Sequence, residues 1–120
     1  MKQIQTGKHR GEFKPVCSTR SGQLAIMKLR PGGESDEEVS NEHPRSEQWC
    51  YVLSGTGKAI VVAKQSRRNV SLRAGTLLVI EKGERHQIRN TGRQVLRTLN
   101  FYLPPAHDAA GNVKLKAKGR

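Results

Sequence analysis

At 120 residues the chain is long enough for one domain with one core and too short for two. Only 34% of residues are hydrophobic and 27% are charged, yet the apolar residues gather in short runs, which excludes a disordered chain. No run approaches a membrane span, and the start Met1-Lys2-Gln3-Ile4-Gln5 has no apolar stretch of the secretory kind. The expected setting is therefore the cytoplasm, with no membrane partner. A formal charge of +12, from 22 Lys and Arg against 10 Asp and Glu, raises the question of a nucleic-acid partner.

In chain order, residues 1–19 read as an N-terminal strand or arm and Leu24–Leu29 as the first clear strand. Pro31-Gly32-Gly33 stops that strand, and the acidic run Glu34-Ser35-Asp36-Glu37-Glu38 after it reads as a loop. Further short β-type runs follow at Trp49–Leu53, Ala59–Ala63, Val70–Arg73, Leu77–Ile80, His86–Arg89 and Val95–Leu103. Ser54-Gly55-Thr56-Gly57 reads as a hairpin turn, and Glu81-Lys82-Gly83-Glu84 and Asn90-Thr91-Gly92 supply two more turns. Residues 107–120 read as a basic tail beyond the Pro104-Pro105 stop. Nothing long carries a helical period, so many short strands between glycine turns imply an all-β sandwich or barrel.

The excess charge is spread over the tail and over Lys8, Arg10, Lys14, Arg67 and Arg68, which read as loop positions, and no run of aromatics offers a stacking platform for bases. A solvated basic surface is expected, with nucleic acid bound non-specifically at most. Cys17 and Cys50 are too few for a disulfide framework and lack zinc-knuckle spacing, so both are expected to be reduced, with Cys50 in the core.

Strand alternation gives the inward faces. Gln48, Cys50, Val52 and Ser54 share one face of their strand, and Trp49, Tyr51 and Leu53 the other. Both faces are apolar enough to need cover, which points to a second sheet, to the N-terminal segment or to a homodimer. In the same way His86 points where Ile88 points, inward, while Gln87 and Arg89 face the opposite way. His43 precedes the Gln48 strand, so the two histidines can converge inside one small barrel, beside amides or a carboxylate. That convergence is what a divalent transition metal requires.

The spacing Gly75, Glu81, Gly83, His86, Asn90 resembles the second motif of the cupin superfamily, G-x5-P-x-G-x2-H-x3-N, with Glu81 in place of the proline. Tyr51-Val52-Leu53-Ser54-Gly55 and the residues before it resemble the first motif, H-x-H-x(3,4)-E followed by Y-V-L-x-G. His43 then falls on the second histidine, Asn41 on the first, and Gln48 on the glutamate, with Glu47 beside it. Asn100-Phe101-Tyr102-Leu103-Pro104-Pro105-Ala106 resembles the end of small single-domain cupins of the mannose-6-phosphate isomerase-like type.

The resemblance covers residues 20–106 and implies a jelly-roll β-barrel, a homodimer built on edge strands, and a metal set of His43, His86, Gln48 and Asn41, with Glu47 as substitute ligand. Neutral amides hold a transition ion more weakly than carboxylate or imidazole does, so the expectation is a loosely held zinc, nickel, manganese or iron ion, or none. Two functions follow. One is a module binding a small polar ligand of sugar or oxo-acid type. The other is a metal-dependent cupin enzyme, an isomerase or dioxygenase, acting on a small molecule.

Overall fold

The computed structural model describes residues 1–8, 11–40 and 43–113. Eight strands form: β1 (Phe13–Ser18), β2 (Gln23–Leu29), β3 (Glu47–Ser54), β4 (Thr56–Ala63), β5 (Ser66–Arg73), β6 (Leu77–Ile80), β7 (Arg85–Asn90) and β8 (Leu96–Leu103). They make two antiparallel sheets, one ordered β1-β2-β8-β3-β6 and the other β5-β4-β7. The sheets pack face to face as a jelly roll, as the spacing of short strands implies. Their shared core joins Met27, Leu29, Cys50, Val52 and Leu96 of the larger sheet to Ala59, Leu72 and Ile88 of the smaller.

Two β4-proximal glycines are fixed by geometry. Gly55 turns the β3–β4 hairpin at φ 91°, a backbone region open to glycine at little cost. Gly57 lies within β4 itself, where a Cβ would run into the Arg89 carbonyl and the Leu96 side chain. It serves close strand approach, and β4 accordingly begins at Thr56, ahead of the apolar run that marks it in sequence. β5 likewise starts at Ser66, because its first four residues, Ser66-Arg67-Arg68-Asn69, are exposed and carry no apolar signature.

The acidic segment differs from a free loop. Glu34 bridges to Arg89 and Ser40 to His86, the Ser35 amide donates to the Ile88 carbonyl at 2.8 Å, and the Gln87 side chain donates to the Asp36 carbonyl at 2.6 Å. Residues 34–40 therefore cover the edge of β7 that β4 leaves open, which protects it from pairing with another chain. Gln87 is buried by this cover although strand parity turns it away from the core.

The stretch after β8 also packs. Pro104 accepts a hydrogen bond from Ser46 Oγ at 2.7 Å. Gln23 Oε1 accepts the amides of Ala106 and His107 at 3.2 and 3.0 Å, and Gln23 Nε2 donates to the His107 carbonyl at 2.8 Å. Ala106 and His107 are buried, so the residues next to position 106 belong to the packed body. Lys114–Arg120 of the expected tail lie outside the described residues.

Candidate functional site

Position 43 ends the approach to β3. The Ser46 amide returns to the His43 carbonyl at 3.0 Å, and the turn aims the imidazole into the barrel. β7, held between β4 and residues 34–40, supplies His86. The two rings lie 4.9 Å apart between centroids, at 46°. Gln48 faces the same space and Glu47 faces outward, where its carboxylate accepts the Trp49 indole N–H at 3.2 Å, as the period of two along β3 requires. Asn41, the other residue proposed as a ligand, lies outside the described residues.

A polar chain runs inward from His43. His43 Nε2 stands 2.8 Å from Gln48 Oε1, Gln48 Nε2 donates to Asn100 Oδ1 at 2.8 Å, and Asn100 Nδ2 donates to Thr98 Oγ1 at 2.8 Å. His43 Nδ1 faces the Ser46 carbonyl at 3.3 Å. A neutral imidazole donates from only one nitrogen. If Nδ1 carries the proton, the Gln48 and Asn100 amides turn together, and the chain runs from Thr98 Oγ1 to His43 Nε2 in the opposite sense. All members of the chain are buried, and for a neutral His43 only the second polarity pairs both ring nitrogens, since in the first Nδ1 turns a lone pair to the Ser46 carbonyl.

Sequence reading missed the third histidine. His107, delivered by the segment after β8, lies 4.5 Å from the Tyr102 ring and 6.4 Å from His43, centroid to centroid. Its Nδ1 is buried and has no hydrogen-bonding partner among the described residues. The signal available was the Pro104-Pro105 stop, followed by Ala106 and His107 and then by Asp108, Gly111 and Asn112, the residues of a turn. Tyr102 was legible as an inward residue of β8 by parity with Asn100.

Together these side chains wall a cavity of about 260 Å³, lined by Phe13, Met27 and Leu29 on its apolar side, and by His43, Gln48, His86, Tyr102 and His107. Glu12, Glu34, Ser35 and Asp36 also line it. Burial first, and then the repulsion that a protonated ring at His43 would add, push His86 down to about 4; the Glu84 carbonyl and Asp36 oppose this. The same two causes in the same order bring His107 down to about 4, with Asp108 opposing. Both are neutral at pH 7. The Nδ1–H of His86 donates to the Glu84 carbonyl at 3.4 Å, which leaves the lone pair on Nε2. Cys50 plays no nucleophilic part, because burial drives its thiol up to about 12.

The residues present do not fit a tightly held transition ion. No group of three His, Cys, Asp or Glu among the described residues is arranged to hold a metal. The nitrogen of His43 that faces the barrel is engaged by Gln48, and the carboxylate of Glu47 points away. The arrangement instead offers imidazole and amide groups that can both donate and accept hydrogen bonds across a partly apolar cavity.

The Cupin domain family matches residues 25–102. Protein SchB of Streptomyces halstedii is 36% identical over 90 residues, covering 75% of this chain and 59% of its own, so the chain spans less than two thirds of that relative. The crystal structure of BH2720 from Bacillus halodurans superposes with a TM-score of 0.74 at 25% identity, over 90% of this chain and 80% of that one. An oxalate decarboxylase from Lactobacillus farciminis, solved as its formate complex, gives a TM-score of 0.64 at 30% identity over 72% of this chain and 25% of its own. No helix among the described residues is long and apolar enough to cross a membrane.

Proposed function

The chain belongs to the cupin family, and we propose that it is a binding module that takes one small polar molecule into the barrel cavity and holds it by hydrogen bonds from His43, His86 and the Gln48 chain. The observation that carries this reading is the convergence of these side chains on one cavity, where the Gln48 chain holds His43 in place and His107 Nδ1 has no partner among the described residues. A cavity of about 150 Å³ accommodates a benzene ring, so about 260 Å³ suits one substituted six-membered ring or a short chain. Cytoplasmic residence, with Cys17 and Cys50 kept reduced, is part of the same reading.

The alternative is an isomerase or dioxygenase that works through a metal. The donor set favours the binding module over it, because the amide of Gln48 stands where a charged ligand would be needed. The test is titration of the purified protein with small polyols, hydroxylated rings and dicarboxylates, with and without chelator, following the ring signals of His43 and His86. Saturable shifts at both rings that are indifferent to chelator are expected, and His86→Phe should abolish them while the fold persists. Binding that vanishes with chelator, or conversion of the compound, would favour the enzyme.

A second copy of the chain is the proposed protein partner. Trp49, Tyr51, Leu53, Leu77, Val79 and Phe101 are all exposed large apolar side chains. Trp49 stands beside both Val79 and Phe101 in the sheet, and Tyr51 beside Leu77, so they form one patch on the outer face of β8-β3-β6. Among the described residues nothing covers that face fully, and packing against its own copy would bury it.

A further inference from the structure

The cavity has a sign opposite to that of the molecule. With a formal charge of +12, the chain has cations to spare, yet no Lys or Arg among the described residues lines the cavity, whereas Glu12, Glu34 and Asp36 do. Glu12 and Glu34 are the exposed members of the lining, so they mark its opening. Arg30 and Arg89 sit 3.7 Å from Glu12 and Glu34 and do not line the cavity. Asp36 accepts a hydrogen bond from Ser40 Oγ at 3.2 Å. Farther in, the walls are rings: Phe13, His43, His86, Tyr102 and His107.

Resting on the reading of this cavity as a ligand pocket, we propose that it selects uncharged, hydroxyl-bearing ring compounds and excludes carboxylates and phosphates, with Glu12, Glu34 and Asp36 acting as the charge filter. An anion would have to pass three carboxylates, two of them loosely countered by Arg30 and Arg89 at 3.7 Å, and give up its hydration where no guanidinium or ammonium of the described residues lines the cavity. A hydroxyl group meets no such penalty. It donates and accepts at once, as do the imidazole and amide groups of the cavity wall, His43, His86 and Gln48. The ring walls and the floor of Met27 and Leu29 then cover the faces of a flat ligand. Of the two ligand classes compatible with the fold, hydroxylated compounds are retained and oxo-acids are rejected, in contrast to a pocket built for a dicarboxylate.

The experiment compares two probes of one shape, 3-hydroxybenzyl alcohol and 3-hydroxybenzoate, titrated at pH 7 into the full chain while the methyl signals of Met27 and Leu29 and the ring signals of His86 are followed. The alcohol is expected to shift these signals with an affinity at least about tenfold better than the benzoate, a gap that one screened like-charge contact is enough to produce. In the triple variant Glu12→Gln, Glu34→Gln, Asp36→Asn the gap should close to within about threefold. Raising NaCl from about 20 mM to about 500 mM should narrow it in the unsubstituted protein, which keeps the test decisive if the variant does not fold. Equal or tighter binding of the benzoate at the same signals would overturn the charge filter and leave the ligand pocket standing. Failure of both probes to move those signals would overturn both.

Discussion

Asn90 closes the second motif, and its side chain shows why that place wants an amide. Its Nδ2 donates to the Leu29 carbonyl at 2.8 Å and to the Gln94 carbonyl at 2.7 Å, while its Oδ1 accepts the Gly92 amide at 2.9 Å. One residue thus ties β7 to β2 and shapes the following turn. Gln48 was equally legible, since a period of two decides which of Glu47 and Gln48 faces inward. His107 was not, because its place depends on hydrogen bonds to Gln23, 84 positions away. Titration of the buried histidines gives a first prediction. His86 and His107 stay neutral down to about 4 when folded and take a proton near 6.5 when unfolded. The unfolded chain therefore binds more protons between these values, so stability is complete above about pH 6.5 and is lost as pH falls toward 4, by up to about 1.4 kcal/mol per pH unit for each group. Thermal unfolding followed from pH 7 to 4.5 should show this decline, and His86→Gln should lessen its slope. A second prediction concerns the amide at position 48. Gln48→Glu places a carboxylate beside two imidazoles, and calorimetry should detect zinc or nickel binding at least about tenfold tighter than in the unsubstituted chain.

At the scale of elements, strand alternation found the seven apolar runs because each buries one face, while the ends of β4 and β5 stayed hidden behind a glycine and four polar residues. The edge cover by residues 34–40 was illegible for a related reason. Its contacts to β7 are mostly made by backbone groups, and a backbone hydrogen bond leaves little trace in side-chain pattern. The segment after β8 is the element whose tie is most concentrated, with three of its bonds made by one side chain. Gln23→Ala should leave buried donors and an acceptor unpaired and cost about 2–4 kcal/mol. Hydrogen exchange at the Ala106 and His107 amides should rise far more than exchange at the β3–β8 ladder. Equal protection across both would mean that the segment is held by packing alone.

At the scale of the whole molecule, the surface divides into an apolar face on β8-β3-β6 and a cationic margin along β5, where Arg67, Arg68 and Arg73 are exposed. The sequence alone left open whether Trp49, Tyr51 and Leu53 lie against the second sheet. In the fold they do not, since the second sheet meets the opposite face of β3. We expect sedimentation at micromolar concentration to report a dimer, and the pair Trp49→Lys with Phe101→Lys to yield a folded monomer with unchanged cavity signals. The cationic margin should bind duplex DNA weakly and without regard to sequence, with affinity falling steeply as salt rises. Sequence-selective binding that survives physiological salt would assign the margin a recognition role instead.

The way His107 reaches the cavity separates two properties that small barrels usually share. Six of the thirteen lining residues belong to strands whose other residues fill the core, so enlarging the cavity from those strands risks the fold. His107 and Gly111 reach the cavity from beyond the last strand, on a short strap pinned by Gln23 and resting against Phe13. Changing the length or bulk of residues 107–111 would resize the chamber while the two sheets stay as they are. The strap is thus an adjustable stop on an otherwise fixed frame, and a natural place for ligand preference to be retuned by a handful of substitutions.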